Sequence, residues 1–252
     1  MANKSIVVDE PLLERCMMIK KVKSFIPLLL KNKVRGAFSS YAVKSYSQEG
    51  EDMILRRIFE GVDHGYYVDV GAHHPKRFSN TYYFYKRGWS GINIDAMPGS
   101  MSLFDIWRPR DINIECAVGN GVKELTLFIF NEPALSTFDE QLAHQRSNGT
   151  YKVIREHKMK PMPLRELLAK HLPGNGKIDF MSIDVEGHDL DVARSNDWKL
   201  FRPKFVLLES FGKNIDEIRS GELFRFMNDQ NYDLFAKTVL TLFFEDRLAK
   251  TS

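Results

Sequence analysis

The fold class is indicated most clearly by the residues Tyr66-Tyr67-Val68-Asp69-Val70-Gly71-Ala72-His73-His74-Pro75. Its apolar run ends in a carboxylate and a glycine, a pattern typical of a buried strand that ends at the ligand-binding edge of an open α/β sheet. A full dinucleotide-binding fingerprint needs two more glycines at fixed spacing, so support for pyrophosphate binding is weak. We expect Gly71 to let the backbone approach a ligand closely. We assign no role to the paired His73 and His74.

Short strand-like runs alternate with helical runs after this stretch, which predicts βαβ units around a mostly parallel sheet. The last two runs predict an antiparallel hairpin. Residues 131–162 show no clear period, so we expect a surface insertion there. The predicted strands are Tyr66–Val70, Gly91–Asp95, Asn113–Val118, Glu124–Phe130, Ile178–Asp184, Phe205–Glu209, Tyr232–Lys237 and Leu240–Glu245, and the predicted helices are Gln48–Phe59, Asn80–Lys86, Leu164–His171, Asp189–Ser195 and Asp216–Asn228.

Composition and charge divide the chain into two parts. The 252 residues are 43% hydrophobic and 27% charged, which fits one α/β domain with an appendage. Residues 1–48 contain nine basic and three acidic residues, whereas the remainder carries a net charge of −3. We therefore predict a basic amphipathic helical arm at 1–45 and a folded domain at 46–252.

The arm has three interpretations. In the first it packs on the folded domain, and in the second it packs on a partner subunit of a homo-oligomer. In the third, residues 12–44 make peripheral contact with an anionic membrane surface. Its apolar runs are too short to span a bilayer, which needs about 20 apolar residues. Basic residues do not interleave with aromatic ones in the base-stacking pattern, so nucleic acid is not expected.

The two cysteines favour a reducing compartment. Cys16 and Cys116 show no paired metal-ligand spacing, and we expect a cytoplasmic protein, at the inner face of the membrane if the arm binds lipid.

A second acidic strand end follows the first. Gly91-Ile92-Asn93-Ile94-Asp95 ends in a carboxylate 26 residues after Asp69. A nucleoside-binding sheet keeps at this place the acid that accepts hydrogen bonds from the ribose hydroxyls. The alternative is a helix N-cap. We favour the nucleoside site.

Five stretches in this order resemble the FkbM family of S-adenosylmethionine-dependent methyltransferases, over roughly residues 46–245. They are Ser47-Gln48-Glu49-Gly50-Glu51-Asp52, Val68-Asp69-Val70-Gly71-Ala72, Ser79-Asn80-Thr81, Gly88-Trp89-Ser90-Gly91-Ile92-Asn93-Ile94-Asp95 and Ile183-Asp184-Val185-Glu186-Gly187. The resemblance implies a class I methyltransferase fold, which is a Rossmann-like, seven-stranded, mostly parallel sheet with a C-terminal antiparallel hairpin.

The resemblance also implies a cofactor pocket. Asp95 would hold the ribose hydroxyls, and the segment opening at Ser79 would offer amides and hydroxyls to the methionyl carboxylate, with helix capping as the alternative. The implied cofactor-binding residues are Gln48, Glu51, Asp69, Gly71, Ser79, Asn80, Thr81, Asp95, Ala96, Cys116, Ala117 and Asp184.

The segment Ile183–Asp189 is rich in groups that can act on an acceptor hydroxyl. A carboxylate or imidazole there can act as general base, and we name Asp184, Glu186 and His188 as catalytic candidates. Alternatively, Asp184 and Glu209 hold Mg²⁺, which would orient vicinal hydroxyls. A purely structural role for Asp189 and Glu186 is the third interpretation.

The sequence thus predicts an O-methyltransferase that acts on a sugar hydroxyl of a glycan, surface polysaccharide or glycosylated metabolite. An N-methyltransferase or a methyltransferase on a non-sugar metabolite would use the same pocket. A non-catalytic cofactor-binding scaffold is the remaining alternative, and the complete set of acids at the strand ends argues against it.

Overall fold

The computed structural model describes residues 42–121, 123–174, 176–210 and 214–251. The fold is carried by the unit Ser45–Ser252. Residues 1–41 lie outside the described part, so the helical arm at 1–45 and its contacts through 12–44 stay predictions. Within the described ranges, none of the helices is long and apolar enough to cross a membrane.

The strands are β1 Tyr66–Val70, β2 Ser90–Asp95, β3 Ile112–Glu115, β4 Leu125–Phe130, β5 Val153–Met159, β6 Phe180–Ile183, β7 Phe205–Glu209, β8 Tyr232–Lys237 and β9 Thr241–Asp246. Seven of them form the central sheet, in the order β3-β2-β1-β6-β7-β9-β8. Neighbouring strands are parallel from β3 to β7, and β9 runs antiparallel to both β7 and β8. The predicted fold class is therefore confirmed.

The helices agree with the prediction in part. The predicted helix Asp216–Asn228 is two helices, α7 (Ile215–Ser220) and α8 (Glu222–Asp229), because the backbone of Gly221 between them is extended. The sequence does not predict two further helices, α3 (Met101–Trp107) and α4 (Glu140–Arg146). The helices are α1 Glu51–Ile58, α2 Tyr82–Lys86, α3 Met101–Trp107, α4 Glu140–Arg146, α5 Leu164–His171, α6 Asp189–Arg194, α7 Ile215–Ser220 and α8 Glu222–Asp229, with 3-10 turns at Pro133–Leu135 and Leu248–Thr251.

The surface insertion expected at 131–162 begins earlier than predicted, because it also includes β4. The predicted strand Glu124–Phe130 is not part of the central sheet, because β4 pairs with β5 in a separate antiparallel ribbon. The third strand also ends at Glu115 rather than Val118, and Val118 makes an isolated bridge to Met162 instead. The insertion thus returns to the sheet edge at the end of β3.

The pleat of β1 sends its side chains to two different layers. Val68 and Val70 pack in the larger aliphatic core. Tyr67 packs on the other face in an aromatic layer with Trp89 and Phe180. Asp69 follows Tyr67 on that second face, and this direction decides its surroundings.

Candidate active site

A cavity of about 400 Å³ opens at the carboxyl ends of β1, β2 and β6. The strand order reverses between β1 and β6, and open α/β sheets bind ligands at such a point. The volume lies within the range of small-molecule sites. Of the sequence-predicted residues, the cavity wall brings together Gln48, Gly71, Asp95, Ala96, Cys116, Asp184, Glu186 and His188.

Gly71 joins two strand ends at the floor of the cavity. Its φ of +83° lies in the left-handed region, and a Cβ there would lie 2.7 Å from the carbonyl carbon of Asp184 and nearer still to the carbonyl oxygen. The Asp184 amide donates to the Val70 carbonyl at 2.9 Å. The glycine is therefore required by the approach of β1 to β6, in addition to any approach by a ligand.

Asp95 ends β2 and is held by two backbone amides. Its Oδ2 accepts from the His73 amide at 2.8 Å and its Oδ1 accepts from the Met97 amide at 2.7 Å. Burial raises the pKa of Asp95, and these two hydrogen bonds oppose the rise. An ionised carboxylate has about four acceptor positions, so each oxygen keeps capacity for a ligand hydroxyl.

Asp69 points away from the cavity into a buried polar network. Its Oδ2 accepts from the Thr81 hydroxyl at 2.8 Å. Burial raises the pKa of Asp69 to about 6, against the lowering effect of the nearby Arg108 guanidinium. Arg108 is fully buried and donates to Asp111, to the Tyr67 hydroxyl and to Thr81. The network fixes the segment that follows β1 against the sheet.

The predicted segment Ser79–Thr81 also lies beneath the cavity and does not line it. Ser79 Oγ accepts from the Tyr82 amide at 3.1 Å, which is the capping interpretation of this residue. Asn80 Nδ2 donates to Ser182 Oγ at 2.9 Å. In this structure the three side chains are engaged by the protein.

The remaining cofactor candidates divide between wall and interior. Glu51 is buried and accepts from the hydroxyls of Thr238 and Thr241, at 3.3 and 3.1 Å. Ala117 is buried behind the wall. Cys116 lines the cavity, and burial raises the pKa of its thiol to about 11, so the thiol is protonated at neutral pH.

Three acidic side chains converge beside the cavity, and two of them, Asp184 and Glu186, line it. One carboxylate oxygen each of Asp184, Glu186 and Glu209 lie within 4.8 Å of one another. The Asp184 side chain is exposed to the cavity, yet loss of solvation raises its pKa well above the ordinary value, and repulsion from Asp189 and Glu186 adds to the rise. The pKa of Glu209 rises through burial and through repulsion from Asp184. The cluster therefore holds protons more strongly than isolated carboxyl groups do.

The insertion fastens this acidic segment in place. Arg146 on α4 forms an ion pair with Glu186, and the Thr137 hydroxyl donates to the Glu186 carbonyl at 2.7 Å. Glu186 itself has a φ of +55°, which is unfavourable for a residue other than glycine. Burial raises the pKa of Glu186, and the hydrogen bond from Arg146 opposes the rise. The insertion thus sets the position of a candidate catalytic residue.

The insertion also builds one wall of the cavity. Leu127, Pro133 and Phe138 line it, and the Phe138 ring meets the His188 ring edge-on at 5.9 Å. Sequence reasoning missed Arg146, which lies on the unpredicted helix α4, and Phe138, which lies just before the helix. It also missed Arg77 and Phe78, which line the cavity from the segment after β1.

One comparison with known proteins identifies a family. The family model "Methyltransferase FkbM domain" matches residues 69–234. A search of curated proteins finds no match. Among solved structures, a protein assigned as an O-methyltransferase from Klebsiella pneumoniae is 11% identical with a TM-score of 0.41, and the alignment covers 90% of this chain and 94% of that one. At this score the likeness carries no argument.

The family match spans most of the chain, from Asp69 on β1 to Leu234 on β8, and includes the acidic segment after β6. The chain belongs to the FkbM methyltransferase domain family and is a methyltransferase.

Proposed function

We propose that this methyltransferase transfers the methyl group of S-adenosylmethionine to the oxygen of a sugar hydroxyl in a glycan, surface polysaccharide or glycosylated metabolite. One observation carries the proposal: Asp95 and the pair Asp184 and Glu186 line the same cavity from different strand ends. Asp95 suits the ribose of the donor. The acidic pair suits the hydroxyl groups of an acceptor, because carboxyl oxygens accept hydrogen bonds from them.

The cavity residues fit the cofactor. S-adenosylmethionine supplies a methyl carbon that its sulfonium already activates, so the protein mainly has to align the acceptor. Asp95 accepts hydrogen bonds from the ribose hydroxyls while two backbone amides hold its carboxylate. Ala96 and the protonated Cys116 offer a small, weakly polar wall to the adenine.

The acidic cluster orients the acceptor. Because Asp184 and Glu209 hold protons more strongly than ordinary carboxyl groups, the cluster can both donate hydrogen bonds to a hydroxyl and accept them. Glu186 is kept in position by Arg146. His188 lies at the junction of the cluster with the apolar wall formed by Phe138. We place the catalytic contribution of Asp184, Glu186 and His188 in this alignment.

The same carboxylates support a second proposal, a Mg²⁺ site at Asp184 and Glu209 with Glu186 as a third ligand. The three oxygens within 4.8 Å match the preference of this cation for oxygen ligands. Bound Mg²⁺ would orient vicinal hydroxyls and lower their pKa.

The experiment is a methyl-transfer screen with S-adenosylmethionine against methyl glycosides, oligosaccharides, amines and non-sugar metabolites, with and without Mg²⁺. Methylation of a sugar oxygen is expected, with turnover strongly reduced in Asp184→Asn and cofactor affinity retained. The matched control is Asp197→Asn, an exposed carboxylate outside the cavity. Methylation of only amines or non-sugar metabolites would contradict the sugar proposal. Cofactor binding without turnover on any acceptor would favour a scaffold.

A further inference from the structure

His73 is held in an unfavourable backbone conformation at the cavity wall. Its φ is +52°, in the left-handed region that few residues other than glycine adopt, although asparagine, aspartate and histidine adopt it more often than the rest. Its amide donates to Asp95 Oδ2 at 2.8 Å, so the residue is tied to the acid assigned to the ribose. Strained residues of this kind persist only where the surrounding structure enforces them, and they cluster at ligand sites.

The His73 ring has an unused nitrogen. Nε2 is buried and has no hydrogen-bond partner among the residues that the structure describes. The ring lines the cavity and stacks on Phe78 with 6.3 Å between centroids. Buried polar atoms almost always have a partner, so an orphan nitrogen at a cavity wall indicates a partner on the ligand.

His73 also lies where the cofactor side of the cavity meets the insertion. Arg77, on the same segment, pairs with Glu132 of the insertion at 3.2 Å, and both residues act electrostatically on the His73 ring. Pro133, next to Glu132, lines the cavity. The imidazole is therefore placed between the ribose acid and the wall that would face an acceptor.

The neighbouring His74 is different, because its ring is used by the protein. Its Nδ1 accepts from the amides of Lys76 and Arg77, both at 3.0 Å. These bonds close the turn after β1. His74 lines the same cavity, so it provides a matched comparison for His73.

The charged and titratable groups around His73 keep it neutral. Burial lowers its pKa and the Arg77 cation lowers it further, whereas Glu132 opposes the shift. Among the residues that the structure describes, the His74 ring also faces it at 6.4 Å, and Asp95 accepts a hydrogen bond from its amide. A neutral imidazole has one nitrogen that can accept a proton.

We infer that His73 is the general base of methyl transfer, with Nε2 accepting the proton of the acceptor hydroxyl. The inference rests on the proposed function. As the acceptor oxygen bonds to the methyl carbon, the carbon–sulfur bond breaks and its electron pair stays on sulfur, which leaves S-adenosylhomocysteine. The hydroxyl proton moves to Nε2, and the resulting imidazolium loses a proton to solvent after the products leave the cavity. The acidic cluster then aligns the acceptor, and His73 removes the proton.

The test compares His73→Asn with His74→Asn. Asparagine tolerates the left-handed region and keeps the amide that donates to Asp95, so His73→Asn deletes Nε2 without changing the backbone. In His74→Asn the side-chain oxygen replaces the Nδ1 acceptor. Three quantities are measured: S-adenosylhomocysteine affinity by calorimetry, the methyl-transfer rate against pH, and the imidazole NMR signals of the S-adenosylhomocysteine-saturated protein. The probes are the methyl glycosides of glucose, galactose and mannose.

For His73→Asn we expect unchanged S-adenosylhomocysteine affinity and a methyl-transfer rate lowered about 10²- to 10⁴-fold. The loss of rate at low pH, which reports protonation of His73, is absent from this variant. In the wild-type protein, at least one glycoside shifts the NMR signal that His73→Asn lacks. His74→Asn alters the same cavity wall but leaves Nε2 of His73 in place, so its rate falls less than tenfold.

An unshifted His73 signal with every glycoside overturns the inference, as does a His73→Asn rate within threefold of wild type. Equal loss in the two variants also overturns it, because a structural role for the turn would then explain both. A wild-type protein that fails to bind S-adenosylhomocysteine overturns the proposed function itself.

Discussion

Replacing Gly71 by alanine tests the close approach of β1 and β6 that forms the cavity floor. The substitution places a Cβ at a φ of +83°, which costs about 1–2 kcal/mol for any residue other than glycine. The same Cβ meets the Asp184 carbonyl group, 2.7 Å from its carbon and nearer to its oxygen. Asp184 must move by about 1 Å or more before contacts of about 3.5 Å return.

That movement disturbs the hydrogen bond from the Asp184 amide to the Val70 carbonyl, a loss of about 1 kcal/mol, and adds strain at both strand ends. We expect Gly71→Ala to lower the free energy of unfolding by about 3–5 kcal/mol in total. This is a large share of the stability of a typical domain, which is about 5–15 kcal/mol. Because Asp184 is displaced, methyl transfer should also be lost.

Gly149→Ala is the matched control. Gly149 has a φ of +86°, but no described atom lies within 4 Å of a Cβ built there. It should cost only the backbone term of about 1–2 kcal/mol. Urea unfolding of the wild type and the two variants measures the difference. If the two variants lose equal stability, the close contact between β1 and Asp184 does not exist and the account of the cavity floor is wrong.

Three further predictions concern the buried charges. Arg108→Met should lower the free energy of unfolding by about 3–5 kcal/mol, because Asp111 loses its buried partner. The control Arg87→Met removes an exposed ion pair and should lower it by less than about 1 kcal/mol. Equal losses of the two variants in urea unfolding would contradict the buried network. Arg146→Met removes the ion pair with Glu186, so amide hydrogen exchange of residues 133–146 should become about tenfold faster or more. Unchanged exchange rates would contradict the role of that ion pair. Burial raises the pKa of Asp189 from 3.8 to about 7, so between these pH values the folded chain holds a proton that the unfolded chain releases. The free energy of unfolding therefore falls as the pH rises from about 4 to about 7. If Asp189→Asn keeps the wild-type dependence of the free energy of unfolding on pH, the raised pKa is contradicted.

The strand ends were predictable because their signals are local. A buried parallel strand is a continuous apolar run, and a carboxylate that ends it falls at the sheet edge. Asp95 and Asp184 were placed at the cavity on this basis. Asp69 carries the same signal, yet the pleat turns it to the aromatic face, where Thr81 and Arg108 hold it. Sequence alone does not say on which face of the sheet the ligand lies.

Other parts of the site lacked a usable period. Helix α3 buries Met101 and Phe104 but also exposes Leu103, Ile106 and Trp107, so its apolar residues do not mark one face. Among the described strands, β5 pairs with β4 alone, and polar residues occupy most of its length. The ion pair between Arg146 and Glu186 joins residues 40 positions apart through the unpredicted helix α4. These contacts follow from tertiary packing.

Calorimetric titration of the protein with S-adenosylhomocysteine shows directly whether this cavity binds the methyl donor. We expect saturable binding to the wild type and to Gly149→Ala, and at least tenfold weaker binding to Asp95→Ala, because a charge-assisted hydrogen bond contributes about 1.5–3 kcal/mol. Absence of binding to the wild type, or equal affinity in Asp95→Ala, would contradict the assignment of this cavity to the methyl donor.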